Sequence, residues 1–205
     1  MTLSCGKYVT ATKQFEELVA LADQKSSLFW KALGMLQQGC VLVLTGKASA
    51  AIQMINSAVA ALRSTGTTVW FPFGLSYLAK AYAELGQFDD AWRCIGEAMT
   101  AIETTGERWF EAELDRIGGE IALKSPTPDA AKAEAYFERA LEVARRQQTK
   151  SWELRAAMSL ARLWRDQGKV SEARELLAPV YGWFTEGFDT RDLKEAKALL
   201  EELAA

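Results

Sequence analysis

Residues 75–98 read LSYLAKAYAELGQFDDAWRCIGEA. Before Gly86, the residues Leu75, Leu78, Ala79 and Tyr82 fall on one face of a helix. After it, Ala91, Ile95 and Ala98 do the same. Apolar residues three and four apart share a helical face, so the stretch predicts two amphipathic helices joined by a tight glycine turn. The small residues Ala79 and Ala91 allow two helix backbones to approach closely, and Tyr82 and Ile95 fill the space beside that approach.

The pattern recurs along the chain. Gly6, Gly46 and Gly86 stand forty residues apart, and Gly168 stands where a later copy belongs. Ala11, Ala51, Ala91, Ala133 and Ala173 open the second helix of each copy, with a two-residue insertion before Ala133. Four residues on come Phe15, Ile55, Ile95, Phe137 and Leu177; three further on come Leu18, Ala58, Ala98, Ala140 and Val180. Trp30, Trp70, Trp109 and Trp152 mark the start of the first helices, and Gly66 and Gly106 close the helices before two of them. Five copies in register identify a repeat protein.

Composition agrees. The 205 residues are rich in helix formers and contain four prolines, which favours an all-α fold read as one domain over 1–205. A net charge of −3 with both signs dispersed supplies no basic face for phosphates, so nucleic acid is excluded as a partner. Histidine is absent, which removes histidine bases, nucleophile pairs and metal ligands. Cys5, Cys40 and Cys94 form no Cys-x-x-Cys pair and read as buried thiols of a reducing compartment. The longest apolar run, Cys40 to Leu44, is too short to span a bilayer, and the first ten residues carry no signal-peptide core. A cytoplasmic protein without metal or cofactor is expected.

In chain order, helices are predicted over 10–24, 29–45, 48–64, 70–85, 89–104, 109–124, 130–148, 152–167, 171–185 and 189–203. Gly39 and Ala51 are expected to be a close-contact pair. Pro72 falls in a first helical turn, where a missing N–H costs little. Asp129 is an expected N-cap. Pro179 should kink its helix. Asp189 or Thr190 is expected to cap the last helix, and Asp192 to favour its positive end. That helix carries one stripe, Leu193, Ala196, Leu200 and Leu203, with a charged back, as a terminal capping helix requires. The turn Gly6-Lys7-Tyr8, preceded by five residues, reads as a chain that begins in mid-repeat.

These residues resemble the tetratricopeptide repeat (TPR). Its first-helix pattern of apolar, small and aromatic residues is matched by Leu78, Ala79 and Tyr82 and by Leu160, Ala161 and Trp164; its second-helix pattern is matched by Ala91, Ile95 and Ala98. The period is forty rather than thirty-four, so the helices are longer. The resemblance implies a TPR-like α-α superhelix, a solenoid of antiparallel helix pairs with a concave groove for a protein or peptide. Residues 151–157 and 177–190 further resemble the end of bacterial signalling proteins in which a class III adenylate/guanylate cyclase or DNA-binding domain precedes an AAA-type ATPase and a long TPR region. No Gly-x-x-x-x-Gly-Lys-Ser/Thr loop lies in this chain, so catalysis is not expected within it.

Carrying the family's groove positions over places Lys80, Arg116, Arg155, Arg162 and Arg165 on the binding face, where a partner's carboxylates would pair with them. The plainer alternative is a solvated face with local ion pairs to Glu153 or Asp166. The asparagines of a peptide-carboxylate clamp are missing; Asn56, on a second helix, is the only one. The tryptophan series reads as packing against the preceding helix or, less favoured, as a ligand-binding aromatic ladder. Trp183 and Phe184 are expected under the capping helix. Asp89 and Asp90 read as helix-dipole partners. The expected partner is a protein, a peptide or a neighbouring domain of the parent chain. The alternatives are ligand sensing through superhelix curvature, and self-association as a homodimer.

Overall fold

The structure, a computed structural model, describes residues 8–204. The turn at Gly6, Cys5 and the mid-repeat start lie outside the described residues. Among these residues the chain is all helical: α1 (Tyr8–Gln24), α2 (Leu28–Leu44), α3 (Ala48–Ser64), α4 (Phe71–Glu84), α5 (Phe88–Thr105), α6 (Glu111–Lys124), α7 (Ala130–Arg146), α8 (Lys150–Asp166), α9 (Val170–Gly182) and α10 (Arg191–Glu202). They fall into two compact units, one ending at Phe110 and one beginning at Glu111.

In the first unit α2 pairs with α3 and α4 with α5, and α1 packs on α2. In the second, α6 pairs with α7 and α8 with α9, while α10 lies on α8 and α9. The repeat-marking alanines Ala11, Ala51, Ala91, Ala133 and Ala173 are all fully buried. Ile55, Ile95, Phe137 and Leu177 are buried beside them. Phe15 and Leu18, their counterparts on α1, are only half-buried, because among the described elements α1 packs on α2 alone.

Close approach sets the hairpin geometry. A Cβ added to Gly119 would lie 2.4 Å from Phe137 Cε1, and one added to Gly39 would lie 2.4 Å from Ile55 Cγ1. The tightest contact of Gly39 is with Ile55: the small residue on one helix receives the large residue of the other, and Ala51, one turn before Ile55, is fully buried.

The turns follow from the glycines. Gly86 has φ of +74°, and beyond it the Gln87 N–H donates to the Tyr82 carbonyl at 2.9 Å, closing the last turn of α4. Asp129 caps α7 as expected, its Oδ1 accepting from the Lys132 N–H at 2.9 Å. Thr190 precedes α10, but its hydroxyl donates backwards to the Gly187 carbonyl at 2.7 Å and does not cap. Pro72 occupies the first turn of α4. The helix holding Pro179 ends at Gly182, three residues before the expected limit; the ring removes one N–H and the chain leaves the helix within a turn.

Two glycine substitutions separate backbone freedom from close packing. At Gly86 nothing lies within 4 Å of an added Cβ, so Gly86→Ala costs only the left-handed conformation, about 1 kcal/mol. Gly119→Ala must instead move the Phe137 ring, and is expected to cost about 1–3 kcal/mol. Urea unfolding of both variants tests the order; a Gly119→Ala loss no greater than that of Gly86→Ala would contradict it.

Candidate functional site: an arginine row joining three helices

In the second unit, α6, α8 and α10 carry the four predicted arginines and their partners. Arg116 on α6 is buried. Its Nε and Nη2 donate to the two carboxylate oxygens of Glu113, both at 2.7 Å, and its Nη1 donates to Glu120 and, at 3.3 Å, to the Ser159 hydroxyl of α8. Burial disfavours the guanidinium charge, yet Glu113 and Glu120 hold it protonated well above its usual range. A two-pronged Arg–carboxylate pair is the strongest polar contact available here.

Glu113 also accepts from Arg155 Nη1 on α8 at 3.4 Å, and Arg155 Nε donates to Asp192 of α10 at 2.7 Å. The Arg155 guanidinium lies 5.0 Å over the Trp152 ring. Further along, Arg162 donates to Glu195 at 3.2 Å, and Arg165 donates to Glu202 at 2.5 Å and to Asp166 at 2.9 Å. The charges therefore form a ladder from α6 through α8 to α10. Arg155 and Asp192 are largely buried, and the outer rungs are open to water.

Sequence reasoning grouped Arg155, Arg162 and Arg165 on one side of α8, and the structure brings them together. Of the suggested local partners, Asp166 does pair with Arg165, but Glu153 instead accepts from Arg145 and Lys150. The partners supplied by α10 were missed. Asp192, Glu195 and Glu202 span ten residues, as the three arginines do, but their spacing of three and seven differs from the seven and three of the arginines, so only the equal span hinted at the pairing. Lys80 is half-buried on α4, in the first unit.

The tryptophans divide. In the first unit Trp109 meets Trp70 edge-on at 5.5 Å, stacks on Phe73 at 6.0 Å, and donates its indole N–H to the Val69 carbonyl at 3.0 Å. Trp30 is 52% exposed, its ring edge-on to Phe29. In the second unit Trp152 packs on Ala112, Val143 and Ala144, the predicted packing role. Trp183 is 58% exposed, with Lys150 Nζ 5.7 Å from its ring centre, and is not covered by α10. Burial along α10 falls on Leu193, Ala196, Leu199 and Leu203, with Leu200 only half-buried. Because α10 rests on both α8 and α9, its seam is shifted from the predicted stripe. A half-open cavity of about 560 Å³, lined among others by Trp152, Arg155, Phe184 and Leu193, lies where the segment between α9 and α10 passes the start of α8.

Asp115 on α6 is 1% exposed. One carboxylate oxygen accepts from Arg139 Nε at 2.8 Å; the other is buried without a hydrogen-bond partner. Burial pushes its pKa up to about 6, against the opposing pull of Arg139 and with help from nearby Glu111. Cys40 and Cys94 are buried, and burial raises both thiols, that of Cys94 to about 11. Among the described residues, no group of three or more His, Cys, Asp or Glu side chains is placed to hold a metal ion, and no helix is long and apolar enough to cross a membrane.

Neither a protein-family model nor a curated protein matches the sequence. Solved structures do. Two from Podosopora anserina, assigned as a kinesin light chain with nearly identical TPR-like repeats, are similar to it. One, a point-substituted form, is 17% identical, with a TM-score of 0.57 over 88% of each chain. The other is 16% identical, with a TM-score of 0.52 over 98% of this chain and 90% of that one. The fold is TPR-like. At these identities the likeness shows the fold alone.

Two expectations follow from the charges. Removing Glu113 leaves two guanidinium groups short of an anion, one of them buried, so Glu113→Ala should cost about 3–5 kcal/mol. Glu202→Ala at the open end should cost about 0–1 kcal/mol; denaturant melts of both compare them. For Asp115, the folded pKa lies above the unfolded value of about 3.9, so its contribution is fully present below about pH 3.9 and is lost as pH rises through about 6. Asp115→Asn should therefore gain stability relative to the native chain between about pH 4 and 7, by about 2–3 kcal/mol. A difference that stays flat with pH would refute this.

Proposed function

We propose that the chain is a non-catalytic protein–protein interaction and regulatory scaffold, read as one repeat domain over 1–205 and acting in the cytoplasm. The observation that carries this is the arginine row of α8: three cations at helical spacing, flanking an apolar seam and already accepting a helix with complementary carboxylates. Such a face recognises polypeptide through shape and charge, and the side chains on it are held in place rather than left to sample rotamers. The partner is a protein, a peptide or a neighbouring domain of the same parent.

The finer reading is that this is the C-terminal TPR region of a bacterial signalling protein with a cyclase or ATPase domain. It rests on the likeness of residues 151–157 and 177–190 to that family. Reading the frame upstream of Met1 tests it: a cyclase, DNA-binding or AAA-type ATPase domain supports the assignment, and an unrelated domain refutes it.

A second reading, self-association, draws on Leu21, Leu28 and Trp30, all at least half exposed around the turn between α1 and α2. Sedimentation that shows only monomer across a hundredfold concentration range would remove it.

For the principal reading, immobilised chain should retain a partner identified by mass spectrometry. The double change Arg162→Glu and Arg165→Glu should lower that retention at least tenfold, with unchanged far-UV circular dichroism. Retention unaffected by the change would move the binding face elsewhere.

A further inference from the structure

The three arginines of α8 are not free to receive a partner, because α10 occupies them. Arg155, Arg162 and Arg165 meet Asp192, Glu195 and Glu202 in the same order, so α8 and α10 run parallel. Glu113 with Arg155, and Arg116 with Ser159, likewise link α6 to α8 in parallel. The last helix thus stands where the first helix of another hairpin would stand.

Its attachment is slight. It is 12 residues long, too short to persist as an isolated helix. It buries a narrow seam, Leu193, Ala196, Leu199 and Leu203. The residues between α9 and α10 make local bonds such as Thr190 N–H to the Gly187 carbonyl. Two of the three arginine rungs are water-exposed and open to salt screening.

We propose that α10 is an internal occupant of a docking face, and that an acidic amphipathic helix of a partner protein displaces it. This rests on the interaction-scaffold reading and names the class of partner. The occupant is argued from α10 itself, which displays the complementary pattern: carboxylates at positions i, i+3 and i+10, and apolar residues at i+1, i+4, i+7 and i+11. Arg155 is the pre-set anchor, since Glu113 keeps it oriented after α10 leaves. Arg162 and Arg165 then choose between the chain's own carboxylates and the partner's. The exchange conserves the number of ion pairs, so the partner's advantage comes from a longer apolar seam.

The test uses the full chain and, as probe, a fluorescein-labelled synthetic peptide with the sequence of residues 189–205. Full chain carrying Asp192→Asn, Glu195→Gln and Glu202→Gln, which loosens its own α10, should bind the peptide at least tenfold tighter than the native chain. A peptide with the same three changes should lose that gain, as should Arg162→Gln with Arg165→Gln in the loosened chain. Should the triple variant fail to fold, Glu195→Gln with Glu202→Gln keeps the Arg155–Asp192 rung and is used in its place. In the native chain, excess peptide should speed hydrogen exchange of the α10 amides. Equal binding by native and loosened chains, binding indifferent to the arginines, or unchanged exchange overturns the proposal. A native chain that exchanges α10 between two copies, seen as a dimer in sedimentation, also overturns it, since the occupant is then a second copy. Failure here with a captured partner that still depends on Arg162 and Arg165 leaves the scaffold reading intact; a chain that captures nothing removes both.

Discussion

The fold depends on how near two helices can come within a hairpin. Where the first helix offers glycine, the second inserts a large side chain against bare backbone: Ile55 against Gly39, Phe137 against Gly119. One turn away an alanine with no exposed surface completes the contact. A methyl group in the wrong place would part the helices, so these positions admit little variation in size. Between hairpins the spacing is set by the same steric limit; a Cβ at Gly74 on α4 would meet Val59 at 3.0 Å and Leu36 at 3.2 Å.

That constraint is why the architecture was legible beforehand. Steric demands recur with the repeat, and a recurring demand leaves a recurring residue: Ala51, Ala91, Ala133 and Ala173 disclose the hairpins without any structure. The glycines disclose the turns for the same reason, since a φ near +74° at Gly86 excludes most side chains at little cost to glycine. The tryptophans misled in part. Their spacing repeats, but Trp30 lies half exposed while Trp109 is gripped by Trp70, Phe73 and a hydrogen bond to Val69. A period in sequence implies a common position, not a common neighbour.

The charges were the least legible part. Periodicity tells which side of a helix an arginine lies on. It does not tell which carboxylate, some 33–42 residues distant, comes opposite. Glu113 is the clearest case: a carboxylate on an ordinary helix face becomes the shared anion of Arg116 and Arg155 because α8 packs beside α6. Asp115, two residues on, points into the opposite interface toward α7 and is left half-satisfied with a raised pKa. Two acids on one helix thus end with different partners, purely through what each is packed against.

The two ends of the charge ladder do different work. At Arg116 the surrounding protein excludes water, so each partner removed exposes an uncompensated buried charge, and the pairing acts as a structural bolt. At Arg162 and Arg165 water already screens the interaction, so the energy of forming a pair is nearly matched by that of solvating its members. Contacts of this second kind hold a helix in register without holding it firmly. A face with a buried inner rung and screened outer rungs would keep its geometry while its occupant changed, and it is this division, more than any single affinity, that the proposed role of α8 requires.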